Sequence, residues 1–221
     1  MIKVQCFKNQ LMSSICYIVY DDSSNRCLVI DPGSEKSFNE IDFITHKNLC
    51  LDYIILTHEH TDHTWGVNAL LEKYPEVKVI CSVLCKEALS KEARNYFQYY
   101  YDNSEYSYCV ARVDLTTEAL GGKLQWNGKY IFFYNTPGHS KGSICVEIEG
   151  LLFGGDTLMP CKPFIKKKLG GSLTDYRNSL LFLLNKFDAE TIVYPGHGDV
   201  IKFNKILPYY SRILEMVTSD K

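Results

Sequence analysis

Five of the six histidines in this 221-residue chain, with two aspartates, fall into short groups whose spacing restricts the folds open to it. His58-Glu59-His60-Thr61-Asp62-His63 follows directly on the apolar run Tyr53 to Thr57. His139 ends Thr136-Pro137-Gly138-His139, Asp156 ends Phe153-Gly154-Gly155-Asp156, and His197 sits in Pro195-Gly196-His197-Gly198. Each group lies where a β-type run gives way to a loop, so the fold has to gather several strand ends. Seven ligand-type side chains, His58, His60, Asp62, His63, His139, Asp156 and His197, suffice for two metal ions around a shared water. Four of them lie within six positions with no lysine or arginine among them, an awkward core unless a cation joins them. His46, between Thr45 and Lys47, stands apart and is read as an ordinary surface or core histidine.

Short β-branched runs predict strands at 15–20, 27–31, 53–57, 77–81, 130–135, 143–148, 151–154 and 191–194. Helical spacing falls between them. Ser34 is a candidate cap for a helix holding Phe38, Ile41 and Ile44, and further helices are expected over 64–74 and 84–95. Ser172 with Asp175 resembles a capping box ahead of Leu180 to Leu184, and Asn204 precedes a last helix. Helices interspersed with strands throughout indicate a layered α/β protein. The tight Glu149-Gly150 connection makes part of the sheet antiparallel, so mixed or stacked sheets are expected. Residues 1–221 read as one domain, with 46% apolar content to form its core.

With 24 basic against 26 acidic residues, the net charge of −2 argues against a general affinity for nucleic acid or anionic membrane. The start, Met1 to Phe7, lacks the apolar segment of a secretory signal, and no run approaches the roughly 20 apolar residues of a membrane span. A cytoplasmic location is the default expectation. Nine cysteines, mostly in apolar settings, read as reduced core thiols. Cys81 and Cys85 have a zinc-compatible spacing but no partner pair, so the two carry little weight as a metal site. Six of sixteen tyrosines crowd into residues 96–108, which suits an amphipathic helix end, a lid over the metal site or a dimer contact.

The pattern His58-x-His60-x-Asp62-His63, with His139 after Thr-Pro-Gly, Asp156 after Gly-Gly and His197 after Pro-Gly, resembles the metallo-β-lactamase fold superfamily. Within it the likeness is to the glyoxalase II (hydroxyacylglutathione hydrolase) branch, and it runs from about residue 15 to 200, taking in Ile30-Asp31-Pro32-Gly33. The resemblance implies a four-layered αββα sandwich with mixed sheets and the site at one edge. It implies that His58, His60 and His139 hold a first metal, that Asp62, His63 and His197 hold a second, and that Asp156 bridges both. Two zinc ions per chain are expected, iron and manganese being compatible with the same donors. A water shared by two such ions becomes a hydroxide near neutral pH, aimed at a polarised carbonyl, and Asp62 would orient it while serving as a ligand. Asp31 is read as structural, and Glu59, at the variable position, is given no catalytic role.

The implied activity is hydrolysis of a thioester of the hydroxyacylglutathione kind or of a related ester. A lactonase with the same dinuclear site and a mono-iron persulfide dioxygenase are the alternatives. Long glyoxalase II enzymes carry a further helical region that helps bind glutathione, whereas about two dozen residues follow His197 here, so substrate selection is expected to be remodelled. Lys162, Lys166, Lys167 and Lys168 form either a solvated surface or a rim for an anionic small-molecule substrate. Gly170-Gly171-Ser172 then opens a helix whose N-terminus could add anion-binding amides. Tyr194, next to Pro195-Gly196-His197, suits a strand-end core residue better than a catalytic one. Monomer and homodimer are both open.

Overall fold

The computed structural model describes residues 1–90 and 108–216. Its first sheet has six strands in sequential order: β1 (Ile2–Lys8), β2 (Ile15–Asp21), β3 (Arg26–Ile30), β4 (Cys50–Ile55), β5 (Lys78–Cys81) and β6 (Leu115–Thr116). The first three form an antiparallel meander and the rest add on in parallel, each crossover carrying helix. The second sheet runs β12 (Ile201–Lys202), β11 (Ile192–Pro195), β10 (Leu151–Gly155), β9 (Ile144–Ile148), β8 (Lys129–Asn135), β7 (Lys123–Trp126). Here only the β10–β11 pair is parallel. Both sheets are mixed, as expected.

Alternation within strands assigns the layers. On β2, Cys16, Ile18 and Tyr20 pack outward while Tyr17 and Val19 pack inward, and nearly all are buried. The inward set meets Trp126, Ile131, Phe133, Ile144, Val146 and Phe153 of the other sheet, forming the central core. A strand covered on both faces has a continuous apolar sequence, and Ile15-Cys16-Tyr17-Ile18-Val19-Tyr20 is one. Outside the first sheet lie α1 (Phe38–His46), α3 (Val67–Lys73) and α4 (Val83–Leu89), contributing Ile44, Leu70 and Leu89 to a second core. Outside the second sheet, α5 (Leu173–Lys186) and α6 (Phe203–Ile206) contribute Leu180, Leu183 and Phe203 to a third. The result is the expected αββα sandwich.

Several boundaries differ from the sequence reading. Ser37, not Ser34, precedes α1, and it does so in a left-handed conformation with no side-chain cap. Ser34 instead donates through Oγ to Asn9 Oδ1 at 3.2 Å, in the loop leading out of β1. The helix expected over 64–74 is split into α2 (Thr61–Thr64) and α3. The break falls at Gly66, whose N–H donates to Pro32 O and whose missing Cβ would lie 2.1 Å from Ser37 Oγ. The last helix is likewise interrupted: a 3₁₀ turn over Leu207–Tyr210 containing Pro208 separates α6 from α7 (Ser211–Leu214). Ser172 caps α5 as read, its Oγ accepting from Asp175 N at 3.3 Å. Strands β1, β6, β7 and β12 were not foreseen. Among the described residues no helix is long and apolar enough to cross a membrane.

Candidate metal centre

Four strand ends open on one edge of the sandwich. β4 leads into His58 to His63, β8 into His139, β10 into Asp156 and β11 into His197. Backbone hydrogen bonds tie the two sheets together at this edge: Ile144 N donates to Thr57 O and Ile15 N donates to Gly196 O, both at 2.8 Å. The Tyr17 hydroxyl adds a bond to Pro195 O at 2.6 Å. Asp62 and His63 do not sit in an irregular loop; they occupy the short helix α2, whose winding turns both toward the strand ends.

All seven predicted residues converge there. The donor atoms of His58, His60 and His139 lie within 4.8 Å of one another, and so do those of Asp62, His63 and His197. Asp156 touches both groups, with Oδ1 3.3 Å from His63 Nε2 and Oδ2 3.3 Å from His139 Nε2 and 3.6 Å from His197 Nε2. Asp62 Oδ2 lies 3.3 Å from His197 Nε2. His46 is elsewhere, donating through Nδ1 to Asp42 O within its own helix.

The outer hydrogen bonds of the imidazoles fix which nitrogen faces inward. His139 Nδ1 donates to Phe164 O at 2.9 Å and His197 Nδ1 to Met12 O at 3.2 Å, leaving each Nε2 for the centre. His63 Nδ1 donates to Asp31 Oδ2 at 3.0 Å. Asp31 also accepts from Thr57 N at 2.8 Å and Thr57 Oγ1 at 2.6 Å. Because that hydroxyl hydrogen goes to Asp31, Thr57 Oγ1 accepts from His58 Nδ1 at 3.0 Å. Asp31, read as structural, thus orients two of the histidines. The Asp62 carbonyl accepts from Asn9 Nδ2 and Ser14 Oγ, which the sequence reading did not connect to the site.

Glu59 points away from this centre. It is buried, accepts from Ser140 Oγ at 2.9 Å, and burial raises its carboxyl to about 7. Tyr194 also lies apart: its ring stacks on Phe153 at 4.9 Å and meets Tyr17 edge-on, within the core between the sheets. Tyr108 is held to the Thr64 hydroxyl. Residues 96–107 of the tyrosine-rich segment lie outside the described residues.

The electrostatics call for cations. Burial lowers His58 well below the ordinary imidazole range and takes His60 down to about 3, neighbouring histidines adding to both. Burial also lowers His139. These rings therefore stay neutral with a lone pair available. His63 and His197 go the other way, since burial disfavours their charge but Asp62 and Asp156 overcome it. Burial pushes Asp156 upward, yet His63, His197 and His139 hold it well below the usual carboxylate range.

His58 Nε2 and Asp62 Oδ1 are buried without a hydrogen-bond partner among the described residues. An orphaned imidazole lone pair and an orphaned carboxylate oxygen, within a set of nitrogen and oxygen donors, fit a divalent metal ion. No group of metal-competent residues found among the described residues includes Cys81 or Cys85. Close approach is built into the backbone as well: a Cβ on Gly196 would lie 2.1 Å from Asp156 Oδ1, and one on Gly33 would lie 1.6 Å from Asp62 O.

A cavity of about 350 Å³ opens beside the cluster, with His60, Asp62, His139, Asp156 and His197 in its wall. Met12, Met159, Cys161, Lys162 and Phe164 complete the lining. Of the four lysines noted in the sequence, only Lys162 is part of it.

Comparison with known proteins gives a concordant pattern. The profile of the metallo-beta-lactamase superfamily matches residues 11–197. A hydroxyacylglutathione hydrolase of Buchnera aphidicola is 28% identical over 97% of this chain and 76% of its own length. One from Aeromonas hydrophila is 31% identical over 64% of this chain, and the match spans 46% of that enzyme. Among solved structures, the BLEG-1 B3 metallo-beta-lactamase superposes with a TM-score of 0.84 at 22% identity, covering 96% of this chain and 99% of that one. The fold and the histidine and aspartate clusters imply a divalent metal.

Proposed function

The chain belongs to the metallo-beta-lactamase superfamily, and from that premise we propose that it is a dinuclear metallohydrolase that cleaves a thioester of the hydroxyacylglutathione kind or a closely related ester. His58, His60 and His139 would hold one divalent ion and Asp62, His63 and His197 a second, with Asp156 shared. The observation that carries this reading is the reach of Asp156, whose two oxygens contact histidines of both groups. Bound there, two divalent ions supply Lewis acidity, making water nucleophilic near neutral pH and offsetting the charge that develops on a carbonyl oxygen.

The side chains divide the remaining work. Asp62 has one oxygen toward His197 and one without a hydrogen-bond partner among the described residues, so it can orient the attacking water as well as serve as a ligand. Cys161 lines the cavity, but a metal-activated water requires no cysteine nucleophile. Among the described residues Lys162 is the one lysine or arginine in the lining, and it suits an anionic portion of the substrate. The names of the Buchnera and Aeromonas relatives support the thioester class. Zinc is the expected metal, with iron or manganese suited to the same donors.

The test combines metal analysis with a panel of thioesters and lactones. Two divalent ions per chain and thioester turnover are expected, and Asp156→Ala should lose metal and activity together, activity falling at least about 100-fold. Full activity in that variant would exclude the shared carboxylate. Lactone turnover with inert thioesters would replace the substrate class. One iron per chain, with oxygen consumed on a glutathione persulfide, would replace hydrolysis itself.

A further inference from the structure

The apolar part of the cavity is anchored by the same histidines that face the centre. Met12 O accepts from His197 Nδ1 and Phe164 O from His139 Nδ1, so the backbones carrying two of the lining side chains are fixed relative to the two Nε2 atoms. Met12 and Ser13 both have positive φ, 49° and 57°, a left-handed pair without glycine in the turn between β1 and β2. Glycine would make such a turn with less strain. Instead the turn carries a long apolar side chain, 64% exposed, at the cavity wall. Phe164 is 43% exposed at the same cavity, and Met159, only 3% exposed, continues the lining next to the buried Leu158. Apart from the candidate metal donors, the thiol of Cys161 and Lys162, no polar side chain among the described residues lines this space.

Methylene groups laid against the side chains of Met12, Met159 and Phe164 gain by leaving water, whereas a hydroxyl gains nothing from contact with them. We propose that the acyl half of the substrate is an apolar chain, seated against Met12, Met159 and Phe164, rather than a 2-hydroxyacyl group. This rests on the thioester reading above and narrows it: the thiol half carries the negative charge met by Lys162, and the acyl half carries none. Methionine, unbranched and polarisable, adapts to chains of different length, so a graded preference follows rather than a single fit.

The experiment uses the metal-loaded protein with acetyl, butyryl, hexanoyl and lactoyl thioesters of glutathione and of the neutral thiol N-acetylcysteamine. In parallel, calorimetry follows binding of S-methyl, S-butyl and S-hexyl glutathione, which cannot be hydrolysed. Expected are a kcat/KM that rises about three-fold per methylene, a lactoyl ester at least about ten-fold below butyryl, and S-alkyl binding that tightens along the same series. Met12→Ser and Phe164→Ser should flatten both series, with metal content unchanged. A flat series, or a preference for the lactoyl ester, would overturn the proposal. If no thioester is turned over, the thioester reading fails separately, and the S-alkyl series decides the apolar wall: tightening with length that is lost in Met12→Ser supports it, and length-independent affinity overturns it.

Discussion

Asp31 illustrates how a side chain outside the ligand set can govern it. Three donors converge on its carboxylate, the Thr57 amide, the Thr57 hydroxyl and His63 Nδ1, and the hydroxyl passes the orientation on to His58. Asparagine offers one acceptor oxygen and turns an NH₂ toward the remaining donors. Asp31→Asn should therefore weaken metal affinity by about 10–100-fold, read by competition against a chromophoric chelator, with far-UV circular dichroism unchanged; wild-type affinity would refute the role. The sequence placed Asp31 in a turn but not beside His63, because 32 positions separate them and only the parallel pairing of β3 with β4 brings their ends together. The seven converging residues were legible because four are crowded into His58 to His63 and each of the other three directly follows a glycine at the end of an apolar run. Met12, held by nothing more recognisable than two positive φ angles, was not.

Among the elements, those buried on both faces were readable and those at the margins were not. β2 and β10 are largely apolar along their length, and β4 and β9 are broken only by Asp52 and Glu147, because helix covers one face and the opposite sheet the other. β1 and β12 are sheet edges, and β6, β7 and β12 hold two to four residues, too few for a period to emerge. The Glu149-Gly150 connection was readable for a different reason: φ of 51° and 80° at consecutive residues is what a two-residue hairpin demands. α5 carries its own start signal. Ser172→Ala removes the acceptor for Asp175 N and should lower stability by about 1 kcal/mol, measured by urea denaturation. A glycine there should recover most of the loss, and an alanine variant as stable as the parent would deny the cap its role.

For the molecule as a whole, the thiols give a pH dependence independent of the metal centre. Cys16, Cys27, Cys85 and Cys145 are buried and free. Burial raises each of them, Cys145 from 9.0 to about 12. A raised folded pKa means that the native state keeps its proton while the unfolded chain releases it. The stability so conferred is intact below pH 9 and is lost as pH rises through the folded values. The unfolding free energy from urea titrations should hold up to about pH 9 and then fall, with a slope approaching 1.4 kcal/mol per pH unit for each such thiol. Cys145→Ala should lessen that slope, and an unchanged alkaline limb would contradict the assignment. In the native protein at pH 8, Cys6 and Cys50, both exposed, should be alkylated well before Cys145.

The donors around the cavity are divided by chain order: His58, His60, Asp62 and His63 follow the first sheet, whereas His139, Asp156 and His197 extend from the second. Neither half of the polypeptide owns a complete coordination sphere. Any ion held by this set acts as a rivet through the seam, and nicking the connection across residues 117–122 would produce two fragments that recover tight ion capture only by reassociating. Ion affinity is then a direct gauge of how firmly the halves are clasped.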